Sequence, residues 1–155
     1  PDFLRPGDSY LRPPRSGYLF RQGSDLHDFW DMLLDQELAD SLMARYYEAV
    51  HPIARCVHRP SFDRVYQSFW EDVNSHIVPR ASTQAVIFAA WFSASVTIDD
   101  AFAGKFGYTA SQLVDQTKLA TEAALSKAGF LGSTSLETLQ GFVMYLVGQE
   151  KPSSL

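Results

Sequence analysis

The stretch 83–97 constrains this chain more than any other. Val86, Ile87, Phe88, Trp91, Phe92 and Val96 fall all round a helix there, with alanines and serines between them. A helix that is apolar on every side cannot sit at a surface, so other helices must surround it. The continuous run from Ala85 to Val96 is interrupted by Ser93 and Ser95 and falls short of the roughly 20 residues that cross a bilayer. The stretch therefore predicts the central helix of a bundle and no membrane partner, with Ser82 as its expected N-cap.

The flanking segments supply the surrounding helices. A short segment around Leu26–Leu34 leads into a helix over Gln36–Val50, where Leu38, Leu42, Tyr46 and Val50 recur every four residues. Pro52 ends it, because the residue before a proline is driven out of the helical region. Ser61 is the expected cap of the next helix, whose Phe62, Val65, Tyr66, Phe69, Trp70 and Val73 make an aromatic face. Gly104 and Gly107 mark a break. Thr109 and Gln112 have the spacing of a capping box that opens a helix to Ala128, and Gly129 stands where a glycine stops one. Ser135 is expected to cap a last helix with Leu136, Leu139, Val143, Leu146 and Val147 as its core stripe. No stretch alternates as a strand does. The expected fold is all-α, a bundle of about six helices over 24–150.

Residues 1–23 differ in kind. They hold four prolines, three glycines and four arginines (Arg5, Arg12, Arg15, Arg21). Proline fixes φ and withholds an N–H, so an extended arm or linker is expected. In one reading Phe3, Tyr10, Leu11, Tyr18, Leu19 and Phe20 lay it on the domain surface; in the other it is a flexible linker. Residues 151–155 read as a tail. The chain opens without Met, and the expectation is an excised or processed segment.

Charge and cysteine usage narrow the function classes. With 18 acidic and 13 basic side chains the net charge is −5, which repels phosphate backbones. The single cysteine, Cys56, excludes an internal disulfide and a cysteine-rich zinc site. A reducing, intracellular compartment fits that usage. The start has no signal-peptide layout.

Two stretches exceed generic helix. The first is Tyr46-Tyr47-Glu48-Ala49-Val50-His51-Pro52-Ile53, continuing through Val57-His58-Arg59-Pro60-Ser61-Phe62 to Tyr66 and Phe69-Trp70. The second is Ser135-Leu136-Glu137-Thr138-Leu139-Gln140, followed by Gly141 to Gly148. Together they resemble, in order and spacing, the fungal-specific transcription factor domain, the middle regulatory region of fungal zinc-cluster transcription factors. The resemblance covers about 24–150 and is partial, since the family domain continues past the second stretch. It implies a non-catalytic helical module, a nuclear location, and DNA contacted only through a six-cysteine zinc cluster that this chain lacks. Protein partners are the implied company, and a further reading is a dimerisation module whose exposed apolar faces pair with a second copy of the chain.

Few residues could carry chemistry. His51 and His58 are the kind of groups that bind zinc or move protons, but no HExxH spacing or third ligand accompanies them, so they are expected to shape the turn. Asp99-Asp100 directly follow the apolar helix, where carboxylates oppose the helix dipole. Ser93 and Ser95 have no G-x-S-x-G setting and are expected to bond back to the helix. Arg55 and His58 beside Cys56 would lower its pKa, whereas simple burial would leave it inert. Tyr46, Tyr47, Phe88, Trp91 and Phe92 are either core or the lining of a pocket for a small hydrophobic effector, with His51, His58, Asp99 and Asp100 as its polar groups. No catalytic residue, metal or cofactor is expected. The leading expectation is a regulatory or interaction module. The alternative is a truncated domain repurposed as a small-molecule-binding protein or enzyme in a biosynthetic pathway.

Overall fold

A computed structural model describes residues 28–129 and 136–150. The arm at 1–23, the start of the segment at Leu26, the Ser135 cap and the tail at 151–155 lie outside the described residues. Among the described residues seven α-helices follow in order: α1 (Phe29–Met32), α2 (Gln36–Arg45), α3 (Arg59–Asn74), α4 (Ala81–Ser95), α5 (Asp100–Gly104), α6 (Ala110–Lys127) and α7 (Leu136–Glu150), with a π-helical turn (Tyr46–Val50) continuing α2. No strand occurs among the described residues, and the class is all-α as expected.

The all-round apolar helix is the axis of the bundle. Every residue of α4 from Thr83 to Ser95 is buried. Among the described helices the packing of α6 and α7 against it is the most extensive, and α2 with its π turn covers a further side. Its serines bond back to the helix: Ser93 Oγ donates to Ala90 O at 3.0 Å and Ser95 Oγ to Phe92 O at 2.7 Å. Ser82 does not cap. Arg80 occupies the N-cap position, and Ser82 Oγ reaches Glu137 Oε1 at 3.2 Å instead. The helix ends at Ser95, two residues short of the expected Thr97.

The other ends have local causes. Leu38, Leu42, Tyr46 and Val50 are all buried, but the helix widens over its last turn, where His51 N–H donates to Tyr46 O at 2.9 Å, five residues back. Helix α3 starts at Arg59 rather than after Ser61, because a proline in the first turn forfeits no intrahelical bond. It closes at His76, in the left-handed region at φ 59. The capping box of α6 is complete: Gln112 N–H donates to Thr109 Oγ1 at 3.1 Å, and Thr109 N–H to Gln112 Oε1 at 2.9 Å. Gly129 stops α6 at φ +64. The expected break at Gly104 and Gly107 contains the one-turn helix α5, with Gly107 at φ +84 beyond it.

One helix is turned over. The expected core stripe of α7 faces outward: Leu136, Leu139, Val143 and Leu146 are 68%, 45%, 46% and 42% exposed, and Val147 is half-buried. Thr138, Gly141, Met144, Tyr145 and Gly148 are buried instead. The glycines decide this. A Cβ on Gly141 would lie 3.0 Å from the Ala85 carbonyl carbon and oxygen, and one on Gly148 only 2.6 Å from Phe92 Cε2. Two missing side chains thus let α7 settle directly on α4.

Candidate functional site

The residues singled out in the sequence fall into three settings. Around the His51-Pro52 turn, Tyr46 is fully buried, with ring centroids 5.3 Å from Tyr47, 6.0 Å from His51 and 5.9 Å from Phe62. Tyr47 donates its hydroxyl to Asp63 Oδ1 at 2.7 Å, and the Arg59 guanidinium lies 4.0 Å above its ring. Burial raises the pKa of Tyr46, helped by Cys56; burial and then the Asp63 bond raise that of Tyr47. His51 is shifted down by burial and by the nearby charges of Arg55 and Arg59, so its ring favours the neutral form. Its Nδ1 and the Tyr46 hydroxyl are buried without a protein partner. His58 is exposed and sits apart, its Nδ1 2.9 Å from Ser61 Oγ. Cys56 is half-buried, and burial raises its thiol pKa, opposite to the lowering that Arg55 and His58 would produce.

The second setting is the core. Phe88 and Trp91 lie tilted at 5.4 Å and meet Phe69 from α3 at 6.3 and 5.8 Å, with Phe29 from α1 stacked 6.0 Å from Phe88. Phe92 points to a different side of α4, against Tyr145 at 5.6 Å. The third setting is the α4–α5 corner. Asp99 accepts from Phe102 N–H at 2.9 Å and Asp100 from Ala110 N–H at 2.8 Å. Both serve helix N-termini, so the dipole conflict read from the sequence disappears. Asp99 also lines a cleft of about 340 Å³ with Ser41, Glu48 and Phe102. There Arg45 is engaged by Thr97 Oγ1 at 2.9 Å, Thr97 O at 3.0 Å and Glu48 at 2.8 Å. The structure therefore joins Tyr46, Tyr47 and His51, and separately Phe88 and Trp91, but does not gather all nine residues round one cavity.

It gathers something else. The two motif stretches face each other across a cleft of about 280 Å³ between α3 and α7. Val57, His58, Ser61, Phe62 and Val65 form one wall, Leu136, Glu137 and Gln140 the other, with Val86 of α4 in the lining. Gln140 Nε2 donates to Cys56 O at 3.1 Å and clasps the two walls across 84 residues of sequence. Glu137 accepts from Arg80 Nη2 at 3.1 Å, Ser82 Oγ at 3.2 Å and Thr83 Oγ1 at 3.4 Å. Ser61, Val65 and Glu137 also line a depression of about 410 Å³ with Arg64, Ser68, Asp72 and Arg80. Sequence reasoning placed none of Glu137, Gln140, Ser61 and Val65 in a cleft: Ser61 was expected as a helix cap and Val65 on an aromatic face. The signal for Ser61, Glu137 and Gln140 was their membership of the two stretches.

Known proteins resemble the chain along much of its length. The aurofusarin cluster transcription factor aurR2 of Gibberella zeae is 36% identical over 100 residues, covering 63% of this chain and 14% of that protein. The C6 finger domain transcription factor nscR of Arthroderma gypseum is 34% identical over 133 residues, covering 80% of this chain and 18% of that protein. The protein named nscR in Aspergillus fumigatus is 29% identical over 153 residues, covering 96% of this chain and 19% of that protein. The chain thus spans less than a fifth of the length of these curated relatives. No family model matches it, and no solved structure does. The relatives are named as transcription factors and all come from fungi, and they support a fungal transcription factor family for this chain.

Proposed function

We propose that this chain is the regulatory and interaction portion of a fungal zinc-cluster transcription factor, acting in the nucleus without touching DNA itself. The observation that carries this reading is the cleft: the two stretches that resemble the regulatory domain are its two walls, clasped by Gln140 and the Cys56 carbonyl. A C6 finger needs six cysteines and this stretch has one, so DNA contact would belong to another part of a longer protein. The net charge of −5 supports the same division of labour. Within the module, the Phe62, Val65 and Val86 side of the cleft suits an apolar effector and the Glu137–Gln140 wall supplies its polar contacts. The aspartates are engaged in helix caps, which gives the enzymatic alternative no support.

Fusion of residues 1–155 to an unrelated DNA-binding domain tests the reading in a fungal reporter strain. The expected result is reporter output that differs several-fold from the DNA-binding domain alone, on the order of 5-fold. Val65→Glu, which charges the cleft wall, should return output toward that baseline at unchanged fusion level. Output indistinguishable from the baseline with the unmodified chain would sink the proposal.

A further inference from the structure

The cleft between α3 and α7 offers acceptors where its donors are already engaged. Glu137 takes its hydrogen bonds from Arg80, Ser82 and Thr83 all on one oxygen, Oε1. Among the described residues no donor reaches its other oxygen, which is not sealed in the interior. Gln140 is used in the same one-sided way. Its amide nitrogen goes to the Cys56 carbonyl, and its own oxygen meets no donor among the described residues. Both side chains line the cleft. On the facing wall Ser61 Oγ is held by His58 Nδ1 at 2.9 Å and Arg64 Nη2 at 3.4 Å. One ring nitrogen of His58 is left over, on an exposed residue where water competes for it.

Two unmet acceptors call for a molecule that donates. A carboxylate or phosphate would bring like charge against Glu137. A cation gains little, because the Arg80 guanidinium already faces Glu137 at 3.1 Å, and the walls of Val57, Phe62, Val65 and Leu136 disfavour an unpaired charge. A neutral hydroxyl meets neither objection, and its bond to a charged acceptor is among the stronger ones. We infer that the cleft takes a small, neutral, hydroxyl-bearing apolar molecule. Its O–H donates to Glu137 Oε2, Gln140 Oε1 serves as a second acceptor, and its carbon frame lies against Phe62 and Val65. The volume of about 280 Å³ is on the scale of a small-molecule site.

This ligand class rests on the regulatory reading only in calling the occupant an effector. Three probes of similar shape test it by NMR titration of the 155-residue chain: 1-naphthol, which donates; 1-methoxynaphthalene, which does not; and 1-naphthoate, which is charged. The expected result is that 1-naphthol shifts the amides of Val65 and Gln140, binds about tenfold more tightly than 1-methoxynaphthalene, and leaves 1-naphthoate weakest. Glu137→Gln keeps the shape and turns an amide N–H toward the cleft. It should close most of the gap between the two neutral probes and admit 1-naphthoate, at an unchanged helical signal. Should that variant unfold, the order of the three probes on the unmodified chain decides alone. Tightest binding by 1-naphthoate, equal binding of the two neutral probes, shifts that miss Val65 and Gln140, or no binding by any probe overturns the inference. A reporter fusion that keeps its output while the probes fail leaves the regulatory module standing and removes only the ligand class. A silent fusion with the expected probe order does the reverse.

Discussion

At the scale of single residues, His51 shows how a side chain is committed by its surroundings. Burial and the two arginines at positions 55 and 59 lower its pKa below the ordinary 6.5. The folded state therefore prefers neutral imidazole, and below about pH 6.5 the unfolded chain binds more protons than the folded one. Stability contributed by neutral His51 is present above that pH and is lost as pH falls toward the folded value. Thermal midpoints measured from pH 7.5 to 5 should fall, and His51→Gln should flatten part of the slope. A variant with the unmodified slope would show that other groups carry the acid sensitivity. The sequence disclosed the histidine and its neighbouring prolines. It did not disclose that Tyr46 and Tyr47 would enclose the ring, because that depends on the π turn.

At the scale of elements, legibility followed the range of the forces. The capping box at Thr109 and Gln112 and the stop at Gly129 were readable because both partners lie within one turn of chain. Helix α7 was misread because its core contact is made by what is missing. Counting apolar side chains favours Leu136, Leu139, Val143 and Leu146, whereas close approach to α4 favours Gly141 and Gly148. Gly141→Ala puts a methyl 3.0 Å from Ala85 backbone atoms, which cannot rotate away as a side chain would. It should destabilise by about 1–2 kcal/mol despite the better helix propensity of alanine. Gly104→Ala meets nothing within 4 Å and should be neutral or slightly stabilising, about 0.5 kcal/mol. Chemical denaturation of both variants checks the pair. Equal effects would mean that α7 does not approach α4 this closely in solution. The cleft was illegible for a related reason: Gln140 finds the Cys56 carbonyl only after four helices have packed between them.

At the scale of the whole molecule, α4 is the element against which α2, α3, α6 and α7 all pack. Its residues from Thr83 to Ser95 have no exposed side, so α4 cannot persist in water without its neighbours. Hydrogen exchange should show the slowest amides in the middle of α4, released only by global unfolding. The short helices α1 and α5 should exchange through local opening. Rapid exchange in α4 with protected α6 and α7 would reverse this order of dependence.

The π turn at Tyr46–Val50 adds a last consequence. It works as a phase shifter between two rigid parts of the chain: the Leu38–Leu42 stripe upstream and the His51-Pro52 corner downstream. Removing one residue from 46–50 would restore a plain α-helix and turn everything on one side by about 100° relative to the other. Either Leu38 and Leu42 would rotate out of the core, or Pro52 and the motif after it would swing off α7. The number of residues between Leu42 and Pro52 is therefore fixed more tightly than their identity.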